Sequence, residues 1–437
     1  MGMSRTNNIG YAFWALVANL LLVDLSGCAT PPSINPRLSC VIPTPNERAA
    51  MALIRKESSD FAETGFIGGN SVRLLINGPV TYEALRRAIA SARSQIDMES
   101  YEFDGAAADA FASQLISESR RGIRVHLIYD AWGSSALPRD VVDRMRSAGI
   151  QIVVYNPISL AGFATFDINR RDHRKLLIID GQLAITGGIN IGEVYQTNPD
   201  HTMIGDDAQS LPWRDTDLRI EGPGAMPFEQ AFARTWAEQG GPPFPSIERA
   251  THPRGDGLVQ MIDGSPMDKR PAIYRTWLIA MAAARRSVHM TTGFFAPTHD
   301  LMEGLECAAR RGIDVKLILP GISTSPETLA AGRSHYEDLL ESGVHIYERK
   351  ADVLHAKTAV IDSIWSTVGS ADLDWRSIVY NDEINAVTLG PAFGGQMEDQ
   401  FQADLAHSTE ITRDAWRARG LGERIHEWRA RLLEPLL

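Results

Sequence analysis

DHRKLLIID (172–180) and LHAKTAVID (354–362) are two copies of one pattern, His-x-Lys-x4-Asp, and this pair decides how the chain is organised. The 11 histidines, six lysines and 30 aspartates of the 437 residues predict roughly 0.01 chance occurrences of the pattern. Two copies therefore indicate an internal repeat. A duplicated His-Lys pair suits phosphodiester chemistry, because imidazole can act as nucleophile or proton donor while ammonium balances the phosphate charge.

The similarity between the two halves extends beyond the motifs. Four pairs of segments correspond: 71–79 with 258–266, 88–103 with 280–295, 120–130 with 310–320, and 147–155 with 342–348. In each half, amphipathic helices alternate with short, nearly continuous apolar strands. This alternation predicts an α/β fold in which each half contains a sheet covered on both faces.

We expect the repeat to form two lobes, a first over residues 66–242 and a second over 256–437, with the Gly- and Pro-rich segment near 240–255 between them. Each half has only one motif histidine, whereas the reaction needs one group as nucleophile and another as proton donor. Related halves can pack about a pseudo-twofold axis, as identical subunits do in a dimer. This packing would bring His173 and His355 to one cleft.

The first 28 residues are expected to be a lipoprotein-type signal segment. Their apolar stretch, Tyr11 to Val23, is too short to cross ~30 Å of hydrocarbon as a helix. LSGC, ending at Cys28, resembles the cleavage box of bacterial lipoproteins, in which the cysteine is lipid-modified. An uncleaved anchor or a wrongly assigned start codon are the alternatives. Ala29 resembles the sorting signal for the outer membrane, so we expect an exported lipoprotein at the periplasmic face of a membrane, the outer membrane being favoured.

Residues 29–65 are expected to form a tether, because five prolines fall among polar residues up to about Asn46. The chain has three cysteines. With Cys28 assigned to lipidation, Cys40 and Cys307 either form a disulfide in an oxidising compartment or are unrelated thiols.

The composition is that of an ordinary globular protein, with 44% hydrophobic and 22% charged residues. A net charge of -11 weighs against non-specific binding to nucleic acid, which depends on a broad Lys/Arg surface. We therefore expect no nucleic-acid partner, although a local basic pocket is compatible with this charge.

Strand geometry predicts which motif residues reach the cleft. His173 and Lys175 are two residues apart, so both point to one side of a strand, and the same holds for His355 and Lys357 in the second copy. The motif aspartates, Asp180 and Asp362, fall at the far strand ends. We keep both in the candidate catalytic set as motif members, but their position favours a structural role.

Two glycine-containing turns follow the motifs, ITGGINIG (185–192) and VGSADLD (368–374). Glycine allows a backbone to approach a phosphate closely, and amide or hydroxyl groups can hold its oxygens. Asn190 and Ser370 are therefore candidates for substrate binding or orientation. Further on, Asp215 and Glu383 are candidates to bond the far imidazole nitrogen and so orient each ring.

The chain resembles the phospholipase D superfamily, most closely its bacterial cardiolipin synthase branch, over about residues 70–437. The runs that carry the resemblance are HRKLLIIDGQLAITGGINIG (173–192), WRDTDLRIEGPG (213–224), LHAKTAVID (354–362), VGSADLDWRS (368–377) and NDEIN (381–385). The resemblance implies two α/β/α lobes of phospholipase D type. It also implies that His173 attacks the phosphodiester to form a phosphohistidine while His355 protonates the departing alcohol, without a metal or other cofactor.

This resemblance makes phospholipids, with phosphatidylglycerol foremost, the expected substrates. The expected function is a membrane-associated phosphatidyltransferase that joins two phospholipids into cardiolipin. A hydrolase releasing phosphatidic acid is the main alternative, because the motif does not choose between water and an alcohol. A non-catalytic lipid-binding protein and a nuclease are disfavoured. The sequence does not indicate the oligomeric state.

Two departures from the family pattern are relevant. Asp372 stands where the family usually has asparagine, and an ionised carboxylate directed at a phosphate would repel it. Asp372 is therefore turned away from the phosphate, protonated, or a sign of altered activity. The two N-terminal membrane helices of long cardiolipin synthases are replaced here by the expected lipid anchor at Cys28. The C-terminal segment 416–437 has a tryptophan and leucine stripe among arginines, which fits either an interfacial helix or a packed terminal helix.

Overall fold

The computed structural model describes residues 46–62, 64–157, 169–199, 211–244, 252–265 and 271–434. The predicted signal segment, the lipidation site Cys28, Cys40 and most of the predicted tether lie outside these residues. Among the described helices, none combines the length and apolar character needed to cross a membrane.

The first half of the chain alternates helices and strands as predicted. Its helices are α1 (Glu47–Phe61), α2 (Asn77–Ala90), α3 (Gly105–Arg120), α4 (Arg139–Ser147) and α5 (Met226–Glu238). Its strands are β1 (Ile67–Ile76), β2 (Gln95–Ser100), β3 (Arg124–Asp130), β4 (Gln151–Tyr155), β5 (Arg171–Asp172), β6 (Lys175–Ile179), β7 (Leu183–Gly187), β8 (Trp213–Arg214) and β9 (Thr216–Glu221).

The second half repeats this order. Its helices are α6 (Ala272–Ala283), α7 (His299–Arg310), α8 (Pro326–Arg333), α9 (Tyr336–Ser342), α10 (Trp375–Val379), α11 (Pro391–Leu405), α12 (Arg413–Arg417) and α13 (Leu421–Leu433). Its strands are β10 (Gly257–Gly264), β11 (Ser287–Thr291), β12 (Phe295–Ala296), β13 (Asp314–Pro320), β14 (His345–Arg349), β15 (Val353–Leu354), β16 (Thr358–Ile361), β17 (Trp365–Gly369), β18 (Leu373–Asp374), β19 (Asn381–Leu389) and β20 (Thr409–Ile411).

One mixed sheet of 16 strands runs through both lobes. From its centre outward, the first half has the order β1-β9-β7-β6-β2-β3-β4, and the second half has β10-β19-β17-β16-β11-β13-β14. Each of these seven strands of one half thus has a counterpart in the other, and β20 extends the second half by one strand beyond β14. The predicted α/β fold with two repeated lobes about a pseudo-twofold axis is confirmed. The two sheets are in addition continuous, because β1 pairs with β10 in antiparallel orientation across a bulge.

The strands that lead into the two motifs cross between the lobes. Strand β5 pairs in parallel with β19 of the second lobe, and β15 pairs in parallel with β8 of the first. Each pairing involves only two residues. The leading strand of each motif is therefore held by the opposite lobe.

The largest shared core lies where the lobes meet. It combines β6 and β9 of the first lobe with β16 and β19 of the second, covered by aromatic side chains of α5 and by Met397 and Phe401 of α11. A separate core lies under α2, α3 and α4. Ion pairs add to the contact between lobes, including that of buried Arg174 with half-buried Asp263 at 2.5 Å. Strands β6 and β7 are buried along their whole length, which explains their nearly continuous apolar sequences. Strand β2 is equally buried although its sequence, QIDMES, alternates polar and apolar residues.

Part of the segment that was predicted to be a tether is helical. The range 29–65 was expected to be a tether, but Glu47–Phe61 forms helix α1, whose Ala50 and Ile54 are buried. The prediction was wrong for this part because an amphipathic helix was overlooked behind the proline-rich stretch.

Cys307, buried in α7, is disulfide-bonded, and the partner considered for it, Cys40, lies outside the described residues.

Candidate active site

The two motif histidines enter the site from opposite lobes and are each fixed by the other lobe. The backbone N–H of His173 donates to the carbonyl of Asp382 at 2.9 Å, and that of His355 donates to the carbonyl of Arg214 at 2.8 Å. These bonds continue the β5–β19 and β15–β8 pairings by one residue. The crossing strands therefore set the position of both histidines.

The side chains of both histidines are also held across the lobe boundary. His173 Nδ1 lies 3.0 Å and 3.2 Å from the two carboxylate oxygens of Glu383. His355 Nδ1 lies 2.7 Å from Asp215 Oδ2. An ionised carboxylate at Nδ1 keeps the proton on that nitrogen. The other ring nitrogen, Nε2, then carries the lone pair that can attack phosphorus or accept a proton. The structure thus places Asp215 and Glu383 where sequence reasoning expects orienting carboxylates.

The two motif lysines make the same contact in both lobes. Lys175 Nζ donates to the carbonyl of His173 and Lys357 Nζ to the carbonyl of His355, each at 2.6 Å. Lys357 is near enough to His173 to lower the pKa of that imidazole, and Lys175 does the same to His355. All four predicted His and Lys side chains therefore share one site.

Burial is the main influence on the ionisation of this site. It lowers the pKa of both histidines well below the usual range, with the nearby ammonium groups as the next cause. Burial also raises the pKa of Glu383 to about 7 and that of Asp215 to about 6. It lowers the pKa of Lys175 to about 8. The imidazoles are accordingly neutral at pH 7, which a nucleophilic nitrogen requires.

Aromatic side chains surround the imidazoles. The Tyr101 ring is 5.1 Å from the His173 ring, and the Trp213 ring is 4.7 Å from the His355 ring. Tyr195 Oη lies 3.3 Å from His355 Nδ1, and the Phe294 ring packs edge-on against His355 at 6.1 Å. Sequence reasoning missed these residues. The only signal was that the matching segments 88–103 and 280–295 both end in aromatic residues.

Asn190 and Ser370 use their polar atoms within the protein. Asn190 Oδ1 accepts from the Glu102 backbone N–H at 3.2 Å, and its Nδ2 donates to Tyr195 Oη at 3.3 Å. Ser370 Oγ accepts from the Ile384 N–H at 2.9 Å and also bonds the Glu383 carboxylate. Of the two roles considered, substrate binding or orientation, these contacts match orientation.

The glycines of the two turns make room for carboxyl and amide groups of the protein. A Cβ on Gly188 would lie 2.2 Å from Asp215 Oδ1, and one on Gly369 would lie 2.1 Å from Asn385 Oδ1. The expectation that these glycines let the backbone approach a phosphate is thereby corrected. Gly188 is needed because the orienting carboxylate of Asp215 occupies the space of a side chain.

The motif aspartates lie away from the site, so the structure corrects their inclusion in the catalytic set. Asp180 accepts hydrogen bonds from the backbone N–H groups of residues 93–95, just before β2. Asp362 does the same for residues 285–287 before β11. Asp180 is at the other end of β6 from Lys175, about 16 Å away for an extended chain of five residues. Both aspartates fix turns with their own backbones at φ +55°.

Asp372 faces the site but is paired. Its Oδ2 lies 3.2 Å from Lys357 Nζ, while its Oδ1 accepts from the Thr292 hydroxyl and the Phe294 N–H, both at 2.9 Å. Asn190 makes the matching backbone contact in the first lobe. The unusual aspartate is therefore neither turned away from the site nor aimed at it without a counter-ion.

Helix α10 contributes one further charged residue. Arg376, which sequence reasoning did not select, lies near enough to lower the pKa of His173. Asp374 caps this helix by accepting from the Ser377 N–H at 2.8 Å, and burial raises its pKa to about 7. Among the described residues, no group of three or more His, Cys, Asp and Glu side chains is arranged to hold a metal ion.

Comparisons with known proteins place this geometry in context. A family model described as "Cardiolipin synthase, PLD-like domain" matches residues 85–210 and 278–405. Cardiolipin synthase 2 of Bacillus anthracis is 33% identical over 370 residues, covering 84% of this chain and 70% of that protein. Cardiolipin synthase A of Pseudomonas aeruginosa is 31% identical over 388 residues, covering 86% and 75%. A crystal structure of phosphatidylserine synthase from Haemophilus influenzae is similar in fold, with a TM-score of 0.65 at 11% identity, covering 88% of this chain and 100% of that one.

Proposed function

Since the chain belongs to the phospholipase D superfamily, in its cardiolipin synthase-like family, and is a phosphatidyltransferase of that superfamily, we propose that it joins two phosphatidylglycerol molecules into cardiolipin. The observation that carries this proposal is the crossed arrangement of His173 with Glu383 and His355 with Asp215. It leaves two Nε2 atoms available in a site where Lys175 and Lys357 supply positive charge.

The reaction proceeds in two steps. His173 Nε2 attacks the phosphorus of the first lipid, the bond from phosphorus to the glycerol oxygen breaks, and the Nε2 proton of His355 passes to that oxygen. The negative charge of the bound phosphodiester favours the protonated form of His355 that this transfer needs. In the second step a hydroxyl of another phosphatidylglycerol gives its proton to His355 and attacks phosphorus, which breaks the phosphorus–nitrogen bond and frees His173. His173 is assigned as nucleophile because its side chain is the more exposed, at 13% against 5% for His355.

Product analysis tests this proposal. Purified protein is incubated with phosphatidylglycerol vesicles and the lipids are separated. Cardiolipin with free glycerol supports the synthase, whereas phosphatidic acid identifies a hydrolase. His173→Ala and His355→Ala should each abolish turnover, while His345→Ala, an exposed histidine of the second lobe, should leave it unchanged. Near-normal turnover in either of the first two variants would contradict the shared site.

We also propose that residues 66–242 and 256–437 are the two lobes of the enzyme. A separate proposal concerns its location in the cell. The sequence supports an exported lipoprotein acylated at Cys28 and held at the periplasmic face of a membrane, the outer membrane being favoured. Incorporation of labelled palmitate in the producing bacterium, absent in Cys28→Ser, tests the acylation, and membrane fractionation tests the location.

A further inference from the structure

Helix α13 carries an exposed apolar stripe on the face turned away from the protein. The side chains that form it, which we call the α13 stripe, are Leu421 (75% exposed), Ile425 (59%), Trp428 (62%) and Leu432 (63%). Their spacing of four, three and four residues places them on one side of a helix. Elsewhere in the described residues, large exposed apolar side chains such as Trp132 are scattered, and single ones need no explanation.

The opposite face of α13 is firmly attached to the second lobe. Ala430 packs against Ala330 and Ala331 of α8. Buried Glu427 bonds Arg419 at 2.9 Å, and Glu434, just after the helix, bonds the ring of His335 at 3.0 Å. The helix is therefore positioned without the stripe. The four large apolar side chains of the stripe, and Leu433 (49% exposed) beside them, remain in solvent on an element that is already folded and packed.

The charges beside the stripe are positive. At about 100° per residue, Arg424 falls on one side of the stripe and Arg429 on the other, while Arg431, on the side of Arg424, is paired with Asp338 at 3.8 Å. The carboxylates of Glu423 and Glu427 fall on the opposite face of the helix. This local excess of arginine contrasts with the net charge of -11 for the whole chain. An apolar stripe with arginines on both sides complements a surface that is apolar inside and anionic at its rim.

One short helix separates the stripe from the active site. Helix α8 contacts α13 through Ala330 and Ala331, and its residues Thr328, Leu329 and Gly332 line a small cavity together with Phe294. The Phe294 ring in turn packs against His355. Helix α8 thus connects the helix that carries the stripe to the wall of the active site.

We propose that the α13 stripe docks the enzyme on an anionic phospholipid bilayer, with Trp428 and its apolar neighbours inserted at the headgroup level and the flanking arginines on lipid phosphates. The proposal rests on the proposed function, since a lipid substrate lies in such a surface. A second copy of the chain is disfavoured as the occupant, because a twofold contact through the stripe would bring like-charged arginines together.

Vesicle binding without turnover tests the proposal. All proteins carry Cys28→Ser, so that acylation cannot mask the effect, and His173→Ala, so that the lipid composition stays constant. Phosphatidylcholine vesicles are used with and without about one third phosphatidylglycerol. Ile425→Gln/Trp428→Gln removes the centre of the stripe, Arg424→Gln/Arg429→Gln removes flanking charge, and Trp132→Gln is the matched control on another surface.

We expect the protein to sediment with the anionic vesicles about tenfold more strongly than with the neutral ones, and both double variants to lose about tenfold of that binding. Trp132→Gln should bind like its parent. Unchanged binding by the Ile425/Trp428 variant overturns the proposal. So does a dimer, measured by light scattering, that this variant converts to a monomer while vesicle binding persists. Because turnover plays no part, failure here leaves the proposed reaction untouched, and product analysis of the active enzyme can fail independently.

Discussion

Lys357 Nζ lies 3.2 Å from Asp372 Oδ2, so the ammonium group of the second motif has a carboxylate partner before any phosphate is bound. The equivalent position of the first lobe holds the uncharged Asn190. The two lysines thus differ in how much of their positive charge is available to the substrate. This difference between the two lysines arises because the second lobe has Asp372 where the first has asparagine.

Asp372→Asn should strengthen the binding of anions in the site. The variant keeps the oxygen that bonds Thr292 and Phe294 but removes the negative charge beside Lys357. We expect the inhibition constant of inorganic phosphate to fall by about tenfold, because one buried negative charge beside the lysine is removed. Asp338→Asn, at an exposed position of the same lobe, is the control. An unchanged inhibition constant would show that Asp372 does not limit the charge of Lys357.

Asp215→Asn and Glu383→Gln should each lower kcat by about 10²–10⁴, because an amide no longer keeps the proton on Nδ1 of the partner histidine. The double variant should cost far less than the product of the two losses, since both residues serve one reaction. Steady-state kinetics on phosphatidylglycerol measure both effects. Glu410→Gln, an exposed carboxylate, should have wild-type kinetics.

The pH dependence of kcat/KM should be bell-shaped with a narrow optimum between about 7 and about 8. Burial raises the pKa of Glu383 to about 7, so its carboxylate is protonated, and His173 loses its orienting anion, as the pH falls through that value. Burial lowers the pKa of Lys175 to about 8, so its ammonium group is lost as the pH rises. Lys175→Arg should extend the alkaline limb by more than one unit, because guanidinium stays protonated. A flat profile from pH 6 to 9 would disagree with both assignments.

Gly188→Ala should reduce activity by displacing the carboxylate of Asp215. The added Cβ would lie 2.2 Å from Asp215 Oδ1, and the buried carboxylate must then move from His355. We expect kcat to fall by about 10²-fold with a folded protein by circular dichroism. Gly395→Ala is the matched control, because a Cβ there meets nothing within 4 Å. Equal kinetics for the two variants would refute the steric argument.

Asp362→Ala should destabilise the fold and spare the chemistry. Its carboxylate holds three backbone N–H groups, and we expect a loss of about 2–4 kcal/mol in the free energy of unfolding. Turnover per folded molecule should remain near that of the parent. Asp362→Asn should lose less, since asparagine tolerates φ +55° and keeps one acceptor. A collapse of kcat in a stable Asp362→Ala protein would restore this residue to the catalytic set.

The sequence was sufficient for the parts of the site that follow local periodicity. His173 and Lys175 could be placed on one strand face because side chains alternate with period two, and the repeat implied a second set from the other lobe. Asp215 and Glu383 were selected because each half has a carboxylate after its motif. Their partners were not specified, because which imidazole each reaches depends on the packing of the lobes.

Other features had no usable sequence signal. Strands β5 and β15 have two residues each, too few for any periodic pattern, yet they carry the crossing between lobes. The continuity of the sheet depends on β1 meeting β10, a long-range contact. Gly188 was interpreted as part of a phosphate-binding turn, because a glycine lets any group come close to the backbone. Only the structure shows that this group is the carboxylate of Asp215.

The crossed carboxylates also govern when the chain can first act during its synthesis. His173 precedes its partner Glu383 by 210 residues, so a nascent chain still lacking the second lobe holds one imidazole without the anion that fixes its tautomer. Asp215 is made early but waits for His355, 140 residues later. We therefore expect products of premature termination to be inactive toward lipid, and the enzyme to become competent only when the ribosome has added nearly all of the chain.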